Sequence, residues 1–151
     1  MDSIYPSVGF YFQVSLDNES YSFKEVSGIS LEINTEEITE GGENRFKYRV
    51  PTGAKYNNLE LKRGLLAKNS NLMTWINNTL NSEFDKPITP KALEISLLNE
   101  EGNKVMSWSF VGAWPISQNS SSLNAIENEV LIESIIFSYN YFTTKVINDN
   151  N

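Results

Sequence analysis

Seven glutamates stand in groups tight enough to suggest acid–base chemistry: Glu36 and Glu37, Glu100 and Glu101, and Glu127, Glu129 and Glu133. A glycosidase-type carboxylate pair needs one member in an apolar setting that keeps it protonated while the other stays ionised. The residues around these glutamates supply no such setting, and they read as solvated strand edges and hairpin tips. Histidine and cysteine are both absent. That removes the commonest general base near neutral pH, the commonest metal ligand, thiolate nucleophiles and any disulfide framework. Neither catalysis nor a cofactor nor a metal is expected.

Three further groupings could carry binding chemistry. Gly41 and Gly42 with Arg45 could form an anion cradle of backbone amides. Glu40 and Glu43 flank them, however, and no Lys-Ser/Thr follows, so a hairpin turn fits better. Trp75, Trp108 and Trp114 could stack a sugar or a base. Trp75 falls on the apolar face of a helical pattern, Trp108 shares a strand face with Met106 and Phe110, and Trp114 before Pro115 reads as rim packing. Lys55, Lys62, Arg63 and Lys68 form the one basic cluster, but Lys62 and Arg63 point to opposite sides of a strand. A net charge of −7 argues against nucleic-acid recognition, which needs clustered cations.

The elements that position these residues are mostly strands. From Val8 to Leu16, the apolar residues Val8, Phe10, Phe12, Val14 and Leu16 alternate with Gly9, Tyr11, Gln13 and Ser15. Asp17 to Ser20 is turn chemistry, and Tyr21 to Val26 is a second strand. After Ser27-Gly28, Ile29, Leu31 and Ile33 share one face of a third. The pattern turns polar from Thr35 to Glu40, passes the double glycine, and resumes at Phe46, Tyr48 and Val50. Arms that become polar toward a tip have left the core and need another surface to lie on. Asn57 to Arg63 is a further strand. Ser70 or Asn69 caps a helix whose apolar face carries Leu72, Trp75, Ile76, Thr79 and Leu80.

Ala92 to Leu98 and Lys104 to Val111 flank the turn Asn99 to Asn103 as a hairpin. Trp114-Pro115 is expected to break the chain, and Gln118 to Asn124 to form a polar loop. Asn128 to Phe142 reads as one long strand, apolar on both faces. The fold class is therefore mainly β: a small antiparallel barrel or sandwich with one flanking helix and a long extended hairpin. One domain spanning residues 1–151 is expected, with 146–151 a flexible tail. No apolar run is long enough to cross a bilayer, and the first residues lack the pattern of a secretory signal. Manufacture and assembly in the cytoplasm are expected, and the Asn-x-Ser/Thr patterns at Asn18, Asn77 and Asn119 then carry no meaning.

Several motifs in order carry a resemblance. They are Tyr5-Pro6-x-x-Gly9-Phe10, Phe23-x-x-Val26-Ser27-Gly28-Ile29, Glu36-Glu37, Gly41-Gly42-Glu43-Asn44-Arg45-Phe46 and Leu61-Lys62-Arg63-Gly64. Trp75-Ile76, Leu97-Leu98-Asn99-Glu100, Ser107-Trp108 and Ala113-Trp114-Pro115 continue the series. Over nearly the whole chain, from about residue 4 to residue 143, it resembles the tail-tube proteins of contractile phages and phage-derived contractile injection systems. The resemblance implies a structural subunit without catalysis, forming hexameric rings that stack into a hollow inner tube, with an architecture shared by the type VI secretion tube protein.

It further implies a continuous β-layer around the lumen and a hairpin, here Thr35 to Val50, that reaches the next ring. The contact residues carried over are Glu40, Gly41, Gly42, Glu43, Asn44, Arg45, Phe46, Lys47 and Tyr48. The partners implied are further copies of the chain, other tube subunits, spike or baseplate proteins and the sheath. Nucleic-acid recognition and a membrane anchor are not implied. The Tyr-Pro start and the Gly-Gly-Glu-Asn-Arg-Phe wording resemble the subunits that form the first ring on a baseplate, beside the tube body as the other place. The particle would be a phage tail or an injection machine, released or envelope-attached. The net charge motivates an acidic lumen along which cargo slides. The alternative reading is a monomeric β-barrel module that binds a ligand through aromatics such as Trp114.

Overall fold

Two-residue alternation of apolar side chains governs most of the chain, and the computed structural model describes residues 11–39, 47–81, 87–121 and 128–147. β1 (Tyr11–Leu16) and β2 (Glu19–Ser27) are joined by Asp17 and Asn18, both at positive φ (49° and 67°). That left-handed pair matches the twist of the flanking strands, which is why the turn is shorter than its polar residues suggest and β2 begins at Glu19. Phe12, Val14 and Leu16 are almost fully buried, as their alternation requires. Val8 and Phe10 lie outside the described residues.

β5 (Leu59–Ala67) points Leu59 and Leu61 inward, then changes parity at Arg63, whose φ is 60°. Beyond it Leu66 faces the core, and Gly64 leaves room for the Phe23 ring, which an added Cβ would meet at 2.3 Å. The paired strand β8 (Glu129–Ser138) changes parity at the same level, burying Ile132 before it and Ile135 and Phe137 after it. The two together bend the wall.

β6 (Lys91–Leu98) and β7 (Lys104–Ser121) form the expected hairpin. Asn99 Oδ1 holds its turn by accepting from the backbone N–H groups of Glu101 and Asn103, each at 3.0 Å. β7 does not stop at Trp114-Pro115. It runs on to Ser121 with a register shift between Pro115 and Ser117, so the missing proline N–H falls at a bulge. Gln118 to Ser121, expected as loop, pairs with β8 instead, Gln118 opposite Ile135 and Ser121 opposite Leu131. The rest of that expected loop, residues 122–124, lies outside the described residues.

The expected long strand from Asn128 to Phe142 is two strands. β8 ends at Ser138 and β9 (Tyr141–Val146) begins after Tyr139 and Asn140. Both run end to end along the same edge of β7. At the break the Asn140 side chain occupies the space beside Gly112, where an added Cβ would meet its Nδ2 at 2.4 Å, and Gly112 has a φ of 67°. Of the residues expected to form the C-terminal tail, Val146 ends β9 and the Ile147 N–H donates to the Val105 carbonyl at 3.0 Å.

The strand order is β6-β1-β2-β5-β8-β7, closed into a six-stranded barrel by the β6–β7 pairing, with β9 beside the first half of β7. The helix α1 (Asn71–Leu80) lays Leu72, Met73, Trp75 and Ile76 into the same apolar cluster as Phe12, Phe23, Phe110 and Phe137. Trp75 stacks on Phe137 at 5.7 Å and its Nε1–H donates to the Thr89 carbonyl at 2.8 Å, so it is core. Trp108 is core as well, and Trp114 packs half-buried against the cluster. Among the described residues no helix is long and apolar enough to cross a membrane.

Candidate assembly surface

β3 (Leu31–Thr39) and β4 (Lys47–Tyr56) pair only with each other and leave the barrel as a separate two-stranded ribbon. The ribbon prolongs the β2–β5 pair: Val26 faces Leu61 and Ser27 faces Glu60, and after residues 28–30 and 57–58 Leu31 faces Tyr56. It is longer than the hairpin expected from Thr35 to Val50. Every residue of β3 from Leu31 to Ile38 is exposed, including Leu31 (51%), Ile33 (59%) and Ile38 (45%). Leu31 and Ile33, whose alternation reads as a core-facing strand, therefore have no core of their own. Alternation reports that a face is meant to be covered, not which molecule covers it.

Register assigns the ribbon two unlike faces. Leu31, Ile33, Ala54 and Tyr56 share one face near the base. A register shift between Asn34 and Thr35 follows, and Ile38 and Val50 lie on the opposite face nearer the tip. Charge pairs fill the gaps: Glu32 stands opposite Lys55, and Arg49 Nη2 lies 3.5 Å from Glu37 Oε1 on an exposed surface. An isolated two-stranded hairpin is marginal in water, so this one requires a covering surface.

The base of the ribbon is built differently. Gly28 has a φ of 89° and approaches the Asn58 carbonyl so closely that a Cβ would lie 1.9 Å from its oxygen. Only glycine fits there. Asn57 Nδ2 donates to Ser30 Oγ at 2.5 Å, and Tyr139 Oη donates to the Asn57 carbonyl at 2.6 Å. The Tyr56 ring stands edge-on to Tyr139 and Phe142, with centroids 5.8 and 5.4 Å away. Burial, and secondarily Tyr56, push the Tyr139 phenol up to about 12. Sequence reasoning did not single out Tyr56, Asn57 or Tyr139, and the glycine in Val-Ser-Gly-Ile was the one available signal.

Of the expected contact residues, Glu40, Gly41, Gly42, Glu43, Asn44, Arg45 and Phe46 lie outside the described residues. Lys47 and Tyr48 open β4 opposite Thr39 and Ile38. The carboxylate groups stay apart: Glu36 and Glu37 are exposed on opposite faces of the ribbon, Glu100 and Glu101 are exposed in the β6–β7 turn, and Glu129 and Glu133 lie on β8. Glu127 lies outside the described residues. The basic cluster is dispersed too. Lys55 is on the ribbon, Lys68 and Arg63 are exposed, and Lys62 meets Glu60 at 3.1 Å and the buried Glu25 at 3.7 Å. An open groove of about 530 Å³ runs between Glu19, Tyr21, Leu65 and Asn69, and Trp114 does not line it.

The helix beside that groove is anchored by electrostatics at its start. Glu19 Oε2 accepts the Asn71 N–H at 3.0 Å, Tyr21 Oη accepts the Leu72 N–H at 3.2 Å, and Ser70 Oγ accepts the Met73 N–H at 3.2 Å. Three of the N–H groups that a helix leaves unpaired at its start are thus satisfied. Tyr21 donates to Glu19, and this bond, with that from Asn71, holds the Glu19 carboxyl below its ordinary value. Burial and the same carboxylate push the Tyr21 phenol up to about 12.

Known proteins place this geometry. The family described as T4-like virus tail tube protein gp19 matches residues 8–143. The tube-terminating cap of the anti-feeding prophage is 26% identical, over 95% of this chain and 92% of that one, with a TM-score of 0.70. A chain of the sheath–tube complex of an extracellular contractile injection system, PVC, in its extended state is 26% identical, over 95% and 93%, with a TM-score of 0.69. Hcp1 from Flavobacterium johnsoniae shares the fold at 12% identity and a TM-score of 0.50, over 89% and 94%. No curated protein sequence matches this chain.

Proposed function

This chain belongs to the T4-like virus tail tube protein gp19 family and is a structural tube subunit of a contractile tail or injection system; we propose that it works by closing into hexameric rings that stack. The observation that carries this reading is the ribbon, which meets the barrel through Tyr56 at its base and beyond it exposes Leu31, Ile33 and Ile38 on its two faces, uncovered by the described residues. Copies of the same chain are the natural cover, because a projection on one subunit that docks on a different part of the next generates an open stack. The segment from Glu40 to Tyr48 makes the contact with the next ring. The subunit has no catalytic role, and its place is in the tube body or in the first ring on the baseplate. Its further partners are neighbouring tube, baseplate or spike, and sheath proteins, within a phage tail or an extracellular injection particle assembled in the cytoplasm.

Negative-stain electron microscopy of the concentrated protein tests this. The wild-type chain is expected to form rings or hollow tubes. Deleting Gly41 to Asn44 is expected to leave a folded subunit that no longer stacks. A deletion variant that still grows tubes would overturn the role given to the ribbon tip.

A further inference from the structure

We propose that Tyr139, acting with Tyr56 and Asn57, is a latch that fixes the angle at which the ribbon leaves the barrel and so positions it for stacking. The proposal rests on the tube-subunit reading above. The ribbon joins the barrel through two short crossings, residues 28–30 and 57–58. Two such crossings, without further support, form a hinge about which a two-stranded arm swings.

The contacts at the base divide into two kinds. The Ser30 N–H donates to the Gly28 carbonyl at 2.9 Å, and Asn57 bonds Ser30. These bonds tie the crossings to themselves and move with the arm. Tyr139 is different, because it stands 82 residues from Asn57 in sequence and belongs to the barrel wall. Its hydroxyl fixes the Asn57 carbonyl, and its ring, with Phe142, receives Tyr56.

Tyr139 is itself immobilised. Its ring meets Phe110 edge-on at 4.8 Å, and Phe110 is fully buried. The chain of contacts therefore runs from the core through Tyr139, with Phe142 beside it, to the first residues of the arm, and only Tyr139 adds a hydrogen bond to it. The position is a special one in the wall: Tyr139 occupies the break between β8 and β9, where Asn140 turns beside Gly112. The register of the β5–β8 ladder, Leu59 opposite Phe137, carried on by two residues, sets Tyr139 opposite Asn57 at the crossing.

The cysteine-free sequence makes the test direct. Glu36→Cys on the ribbon and Glu100→Cys on the β6–β7 turn, both exposed, would each carry a spin label. Pulsed dipolar spectroscopy on the full chain then reads the distance between ribbon and barrel. The wild-type background is expected to give one narrow distribution. Tyr139→Phe, which keeps the ring and drops the hydroxyl, should broaden it, and Tyr56→Leu should broaden it further, while the circular dichroism spectrum of the folded barrel is unchanged. Microscopy of the unlabelled variants should show fewer tubes than wild type. A distribution that stays narrow in both variants overturns the latch. A wild-type chain that forms neither rings nor tubes, with variants that still broaden, keeps the latch and overturns the tube-subunit reading.

Discussion

Single side chains here act at a distance that sequence order conceals. Ser70 was readable as a helix cap because it sits three residues before Met73, whereas Glu19 and Tyr21 reach α1 from about fifty residues away. Their protonation has consequences of known sign. The Glu19 carboxyl titrates below its ordinary value, so the folded state favours its charged form. Its contribution to stability is complete above the unfolded value near 4.5 and is lost as pH falls through the lower folded value. Glu19→Gln should therefore unfold at lower urea than wild type near neutral pH, with the two midpoints converging in acid. Tyr139 has the opposite sign. Its phenol is held protonated up to about 12, so its contribution is complete below pH 10 and is lost as pH rises through 12. Urea midpoints of wild type and Tyr139→Phe should differ at pH 8 and draw together above pH 10, a comparison in which the similarly raised Tyr21 cancels.

At the scale of elements, the barrel strands and α1 were legible because a single chain supplies both the alternating face and the core that covers it. Of the features that escaped, two have clear physical reasons. Pro115 reads as a breaker, but a strand tolerates proline where the ladder already shifts, and the sequence does not announce a bulge. Leu31 and Ile33 read as a core strand, but among the described residues nothing covers them. The two classes of apolar residue should separate on mutation. Leu72→Ala opens a cavity in the fully buried cluster and should cost about 2–5 kcal/mol in urea unfolding. Ile33→Thr and Ile38→Thr replace exposed side chains and should change stability by less than about 0.5 kcal/mol. The same two variants should nonetheless suppress tube growth in the microscope. If they grow tubes like wild type, the ribbon faces are not buried on assembly.

At the scale of the molecule, the question is which hydrogen-bonding edges the fold leaves open. Closure of the barrel pairs β1, β2, β5, β6, β7 and β8 on both sides. Among the described residues, unpaired edges remain on the two ribbon strands, along β9, and on β7 from Trp114 to Ser121 beyond its pairing with β6. An open edge is a template for another strand, and proteins that stay monomeric blunt it. β9 has one lysine, Lys145, and otherwise carries Tyr141, Phe142, Thr143, Thr144 and Val146, residues suited to pairing. On the proposed reading the ribbon serves stacking, and β9, with its pairing-prone residues, is the edge we propose for closing a ring. Its parity makes a clean test. Because the Ile147 N–H reaches Val105 across the β7–β9 ladder, the alternate residues Lys145 and Thr143 also aim at β7, and Thr144 aims its N–H outward. Thr144→Pro thus removes one donor from the open edge without touching the internal ladder. The variant should keep the wild-type circular dichroism spectrum and sediment as a monomer at concentrations where wild type forms rings. Wild-type rings from this variant would place the lateral contact away from β9, and would leave its open edge to a different partner of the tube.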